Sequence, residues 1–260
     1  MSLEGGPVSA TVRIGRRVLL PLVGVAMLLA VWEATVIAYA LPAIVLPSPL
    51  AVVRALGELV RTREFWRDVM VSLLEFVAGF GLGGALGVVA GLLIGESRRA
   101  RLTATPIVES LRFVVPFAWI PLTILWFGTS WTGKVVLVGY AVFFVMLVST
   151  ARAMANVDPT LTRVGTMLGM GRLQLALRVH LRAAAPTVAS AARAAAAIGW
   201  IAVVAAEYIG ASAGLGLMIT NAASSLATPV VIAGMVVIGL VGASVSAAIG
   251  WIARTRLAPR

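Results

Sequence analysis

Cysteine is absent from the 260 residues, so disulfides, thiolate metal sites and cysteine nucleophiles are excluded. Charge is scarce: 12% of residues carry one, against about 25% in an ordinary soluble domain. Acidic residues number only 10, lysine occurs once (Lys134) and histidine once (His180). Paired carboxylates and metal-ligand clusters therefore have little to draw on, and no metal site is expected. His180 has no carboxylate near it in sequence, and a Ser/His/Asp arrangement would have to be assembled across a membrane.

Apolar residues fill the space instead: 60% of the chain, with a mean hydropathy of +1.02. One soluble core cannot hide that excess, which points to an all-α polytopic membrane protein. About 20 apolar residues cross the hydrocarbon layer, and six stretches qualify: roughly 18–40, 69–95, 104–127, 134–151, 187–208 and 229–252. The chain then divides into a tail at 1–17, a membrane domain over 18–252 with a loop at 152–186, and a tail at 253–260.

The formal charge of +11 is distributed between these stretches rather than along one face, so it reports orientation and not a nucleic-acid partner. Arg13, Arg16, Arg17, Arg98, Arg99, Arg101, Arg152, Arg163, Arg172, Arg178, Arg182, Arg254, Arg256 and Arg260 fall on one side. On the other, Arg54, Arg61, Arg63, Arg67 and Lys134 are largely offset by Glu58, Glu64 and Asp68. Positive charge marks the cytoplasmic side, which places both termini there. Ala38-Tyr39-Ala40 imitates a signal-peptide cleavage site, but the preceding apolar run is too long and contains Glu33, so an uncleaved first span is expected.

The second stretch carries Gly79, Gly83, Gly87, Gly91 and Gly95, every fourth residue on one helical face. Small residues let helix backbones approach closely in lipid, and this face is expected to form a helix–helix seam, static or sliding. Glu109 and Arg112, three apart, are expected to pair on one helix face. Arg193 can snorkel, Glu207 closes the fifth span, and Glu33 and Glu75 have no evident partner.

Two motifs tempt and fail. Gly128-Thr-Ser-Trp-Thr-Gly133-Lys134 matches a phosphate loop, but Val135 stands where magnesium needs Ser or Thr, and an apolar span precedes it instead of a strand. Gly210, Gly214 and Gly216 resemble a piece of a dinucleotide fingerprint without its βαβ context.

The 152–186 loop is more informative. Asp158-Pro159 reads as a helix N-cap and first residue. Leu161, Val164 and Leu168 form an apolar stripe, Gly169 a helix stop, and Leu173–Leu181 a second amphipathic stretch before Pro186. So short a helix is marginal alone in water and needs a bilayer surface or a partner's groove.

This loop resembles the signature of permease subunits of bacterial ABC importers, E-A-A-x3-G-x9-I-x-L-P. Arg163-Val164-Gly165 takes the place of E-A-A, Gly169 that of the glycine, and Val179, Leu181 and Arg182 those of I, L and P. Leu46-Pro-Ser-Pro49, Ile120-Pro-Leu122, Ile124-Leu-Trp-Phe-Gly128, Val204-Ala-Ala-Glu207 and Ala213-Gly-Leu-Gly216 are similar to the nitrate/sulfonate/taurine branch of type I permeases.

The resemblance implies a non-catalytic subunit of a bacterial inner membrane. Its partners would be a second permease copy, two cytoplasmic ATPases holding the ATP and Mg, and an extracytoplasmic solute-binding protein. Leu161, Arg163, Val164, Gly165, Leu168 and Gly169 would then form the coupling helix that seats on an ATPase. Trp119, Trp126, Tyr140 and Trp200 are candidates for the translocation path; no basic cluster is evident at mid-membrane. The alternative is a scaffold or a secondary transporter uncoupled from any ATPase.

Overall fold

Proline and capping residues set where the helices begin and turn. The computed structural model describes residues 8–257, all helices and turns with no strand among them; the ends of the two expected tails lie outside. The chain divides into two compact units, one up to Arg61 with Ala222–Ala233, the other Thr62–Asn221 with Gly234 onward.

In the first unit, α1 (Val8–Ala38) leads into the Leu46-Pro-Ser-Pro49 segment, where the Trp32 indole N–H donates to the Pro47 carbonyl at 3.0 Å. The Ser48 hydroxyl accepts from Ala51 N, and Pro49 opens α2 (Pro49–Arg61). Val52 and Ala55 of α2 pack with Ala233, covered by Trp32 and Val230.

The second unit is built around α3 (Arg63–Glu96), α6 (Trp131–Ala155) and α9 (Leu181–Gly210). Thr62 caps α3 by accepting from Phe65 N. The glycine face of α3 lies directly on α6: a Cβ on Gly87 would stand 2.6 Å from Phe143 O, and one on Gly91 2.6 Å from Thr150 Cβ. Gly199 repeats the device on α9 against Val142. Val138, Val142 and Val203 are the wholly buried centre. α10 (Leu215–Ser224) and α11 (Thr228–Leu257) complete the chain; α11 approaches α9 where Gly242 meets the Trp200 ring.

Among the described residues, four helices are long and apolar enough to span a bilayer: Arg63–Glu96, Trp131–Ala155, Leu175–Gly210 and Thr228–Ala253. Leu22–Ala38 is a shorter apolar stretch. The stretch expected as one continuous span over 104–127 is broken. Here α4 (Arg98–Arg112), a 3-10 turn (Pro116–Trp119) and α5 (Ile120–Phe127) bend by 79°. Pro116 is the cause: it forces Val115 into an extended conformation (φ −61°, ψ 141°), which no helix can pass through. The fifth span begins earlier than expected. A π-helical turn, Leu175–His180, runs straight into α9, with Pro186 inside the helix rather than at its start.

Candidate functional site

At the Ala155 end of α6 the chain turns into α7 (Pro159–Met167), a nine-residue helix built by its own sequence. The Asp158 carboxylate accepts from Thr160 N at 2.8 Å, and that backbone N–H holds its pKa below the usual carboxylate range. Gly169 ends the helix at φ +75°, with its N–H on Thr166 O and the Met170 N–H on Gly165 O, the double bond of a Schellman stop.

A Cβ at Gly169 meets nothing within 4 Å, so backbone conformation alone demands glycine. Gly165 instead faces inward, where a Cβ would meet Leu175 Cδ2 at 2.5 Å. It lets α7 lie on the π-helical turn, and Leu161, Val164 and Leu168 stay exposed beside that contact. Arg163 is exposed too and borders a shallow groove of about 620 Å3 with Pro159, Thr166 and Met167.

Histidine ties this segment to α3. His180 Nδ1 lies 2.9 Å from Glu96 Oε2, and Nε2 lies 2.9 Å from the Thr162 hydroxyl. A carboxylate accepts only, so Nδ1 donates to Glu96. The expectation that His180 has no carboxylate nearby is thereby corrected: Glu96 is 84 residues away in sequence and adjacent in space. No group of three metal-ligating side chains forms among the described residues.

At the other end of α3 and α9 lies a buried polar network. The Glu207 carboxylate accepts from the Ser72 hydroxyl at 2.6 Å and from Gly216 N at 2.8 Å. Ser72 in turn accepts from Leu215 N, and Asp68 from Gly214 N at 3.1 Å. Gly214, at φ +129°, leaves no room for a Cβ because the Glu207 carboxyl occupies it. Glu207 therefore does more than close a span: it fastens the 211–216 turn to α3. Glu207→Ala would strand two buried donors and is expected to cost about 2–3 kcal/mol. Thermal unfolding in detergent should show Glu207→Gln, which keeps one acceptor, losing less; equal losses would mean the hydrogen bonds are not what holds the turn.

Lys134, counted among the charges of the outer side, is buried and pairs with Glu75, which thereby acquires the partner it lacked in sequence. Residues 131–134 are helical, which also disposes of the phosphate-loop likeness.

The four aromatic candidates separate. Trp200 is buried against Phe76 and donates to Ile238 O at 3.0 Å. Trp126 stands exposed on α5. Trp119 and Tyr140 meet, ring centroids 5.2 Å apart, and Tyr140 lines a cavity of about 340 Å3. Glu109 does face Arg112, at 3.9 Å, but its closer partner is Arg152 at 2.7 Å. Arg112 and Arg152 thus stand together, near the Ala155 end of α6. Nothing local in the sequence connects residues forty apart. Glu75 did carry a signal, lying four residues before Gly79 on the face that meets α6.

Comparison with known proteins agrees with this arrangement. Residues 83–259 match the family of binding-protein-dependent transport system inner membrane components. A candidate aliphatic sulfonates transport permease, SsuC of Bacillus subtilis (strain 168), is 33% identical over 84% of this chain and 79% of its own. The taurine transport system permease TauC of Escherichia coli (strain K12) is 31% identical over 88% of this chain and 85% of its own. Two solved structures share the fold. The MetNI methionine ABC transporter, in inward-facing conformations, gives a TM-score of 0.63 at 19% identity over 73% of this chain and 94% of that one. A bacterial transporter involved in importing the acidic polysaccharide alginate gives 0.64 at 14% identity over 95% of this chain and all of that one.

The chain belongs to the family of binding-protein-dependent transport system inner membrane components. It is a membrane-embedded permease component of an ABC importer, of the sulfonate/taurine branch.

Proposed function

We propose that two copies of this chain form the path by which a small oxyanion, of the sulfonate or taurine kind, crosses a bacterial inner membrane. An extracytoplasmic binding protein delivers the solute, and two cytoplasmic ATPases that hold the ATP and Mg drive the cycle. This chain hydrolyses nothing, and both of its termini are cytoplasmic. The relatives' names support the solute class, and the arginine distribution supports the orientation.

The observation that carries the reading is α7. It is capped at Asp158, stopped at Gly169 and backed by Leu175, yet it holds Leu161 (44% exposed), Val164 (50%) and Leu168 (71%) in the open. A helix this short gains its stability from packing, and its inner face is already packed. The exposed stripe beside it fits the groove of a partner, with i, i+3 and i+7 anchors. ATP-driven closure of the ATPase pair would pull the two copies of α7 together, and His180 would pass the displacement to α3 through Glu96.

Arg163 stands where the loop signature has Glu, so any ion pair it makes requires an acidic residue on the ATPase. Replacing Leu161, Val164 and Leu168 together by Asp is expected to strip the ATPase from the complex while leaving the membrane domain intact. Gentle purification with mass spectrometry checks this; an ATPase that stays bound to the triple variant would count against the role given to α7.

A further inference from the structure

At the break of the third span, two arginines from different elements address one atom. Arg112 ends α4 and Arg152 lies near the end of α6. Glu109 Oε1 is 2.7 Å from Arg152 Nη2 and 3.9 Å from Arg112 Nη1. Two guanidinium groups and one carboxylate leave a net charge of +1. Arg112 and Arg152 line the 340 Å3 cavity together with Val114, Pro116, Tyr140 and Phe144.

Two physical rules and one contact converge on this cavity. Non-helical backbone at membrane depth persists only where it is covered by protein or borders water, and Val114 and Pro116 of the break are part of the wall. The Tyr140 hydroxyl stands 2.9 Å from Leu111 O and 3.2 Å from Val114 O, so its one proton is shared between two carbonyls that flank the break, the first of which also accepts from Val114 N. An arginine within a membrane domain faces a watery cavity or a partner, which applies to Arg112 at the break, while Arg152 joins it from the last turn of α6. The side chains of Glu109 (37% exposed), Arg112 (36%) and Arg152 (65%) are all accessible, and the two arginines line the cavity.

We propose that the Arg112–Arg152 pair is a transit site for the anionic, oxygen-bearing head of the solute, and that Glu109 Oε1 marks where a solute oxygen sits. An arriving sulfonate or carboxylate would take the guanidinium N–H groups from Glu109, in the paired geometry arginine favours. Exchanging one negative group for another keeps both arginines compensated throughout, and the return of Glu109 releases the anion. The apolar remainder of the solute would rest on Tyr140 and Phe144. A cavity of this size suits a small solute. The word transit rests on the proposed importer function; anion binding does not.

The absence of cysteine makes a direct test possible. Ser149, on the cavity wall, is replaced by cysteine in the purified complex in nanodiscs. Its modification is followed by mass spectrometry of this chain, with the anionic reagent 2-sulfonatoethyl methanethiosulfonate and its cationic trimethylammonium counterpart. The anionic reagent is expected to react about tenfold faster or more, relative to the ratio for free thiol. Added ethanesulfonate should slow it, and Arg112→Gln with Arg152→Gln should bring the ratio to that of free thiol. Should that double variant fail to fold, Glu109→Gln is expected to raise the ratio several-fold.

A free-thiol ratio in the parent, a ratio indifferent to the arginines or to Glu109, or no reaction with either reagent would overturn the site. Phosphatidylcholine and phosphatidylglycerol nanodiscs separate the sources of anion. Slowing by phosphatidylglycerol but not by ethanesulfonate would assign the pair to a lipid headgroup and overturn a transit role. A flat ratio in a complex that retains its ATPase removes this site alone; a steep ratio in a chain with no ATPase removes the importer mechanism and leaves the anion site.

Discussion

Gly83→Leu is expected to abolish folded protein in the membrane, while Gly81→Leu, two residues away, leaves yield and stability unchanged. A side chain at Gly83 would fall on the Gly139 backbone, and neither glycine has a side chain that can move aside. At Gly87 the obstacle is again largely backbone, Phe143 O at 2.6 Å and Leu147 N at 3.1 Å, with Met146 Cβ at 2.8 Å. Helices in lipid are not driven together by hydrophobicity, so α3 and α6 hold through close approach, which a leucine would end. The loss should exceed about 3 kcal/mol, the upper range for overpacking. Gly81 faces away from the seam, with nothing within 4 Å, and substitutions at such positions stay within about 0.5 kcal/mol. Detergent size-exclusion yield and unfolding temperature measure both; similar behaviour of the two variants would remove the seam from the account.

The second large effect concerns Glu75 and Lys134, the buried ion pair that joins α3 to α6. Glu75 is 1% exposed and Lys134 8%. Lys134→Met leaves the carboxylate without its counter-ion, and Glu75→Leu leaves the ammonium without its own. Each is expected to cost about 3–5 kcal/mol, because an uncompensated buried charge remains. The double variant removes both charges and should return to within about 1 kcal/mol of the parent, since a buried pair contributes little net stability over an apolar replacement. Strictly additive losses would show that the two side chains do not act as a pair.

How far these features were legible in the sequence depends on whether their chemistry is local. The Asp158-Pro159 start and Gly169 stop of α7 are settled by a cap and a backbone angle within a dozen residues, and they were readable directly. The α3 seam was readable as a period of four. That period runs back from Gly79 to Glu75, and Ser72, seven residues before Gly79, and Asp68, four before Ser72, fall on the same face. The polar network therefore shared a face with the seam, though its partners on α6 and α9 could not be seen. The broken third span escaped because hydropathy is blind to backbone geometry; Pro116 after Val115 was the available sign. Arg152 with Glu109, and His180 with Glu96, join positions separated by 43 and 84 residues, and no local rule reaches that far. They exist only once α3, α4 and α6 have packed.

The central claim, that an ATPase drives solute through this chain, is tested most directly in proteoliposomes holding the natively purified complex. ATP is enclosed at the ATPase side, the companion binding protein is supplied outside, and accumulation of labelled taurine or ethanesulfonate is followed. Accumulation is expected only with ATP and binding protein both present, and it should vanish with the Leu161, Val164 and Leu168 to Asp variant. Flux that ignores ATP and follows an imposed proton or sodium gradient would contradict the account and make the chain a secondary transporter.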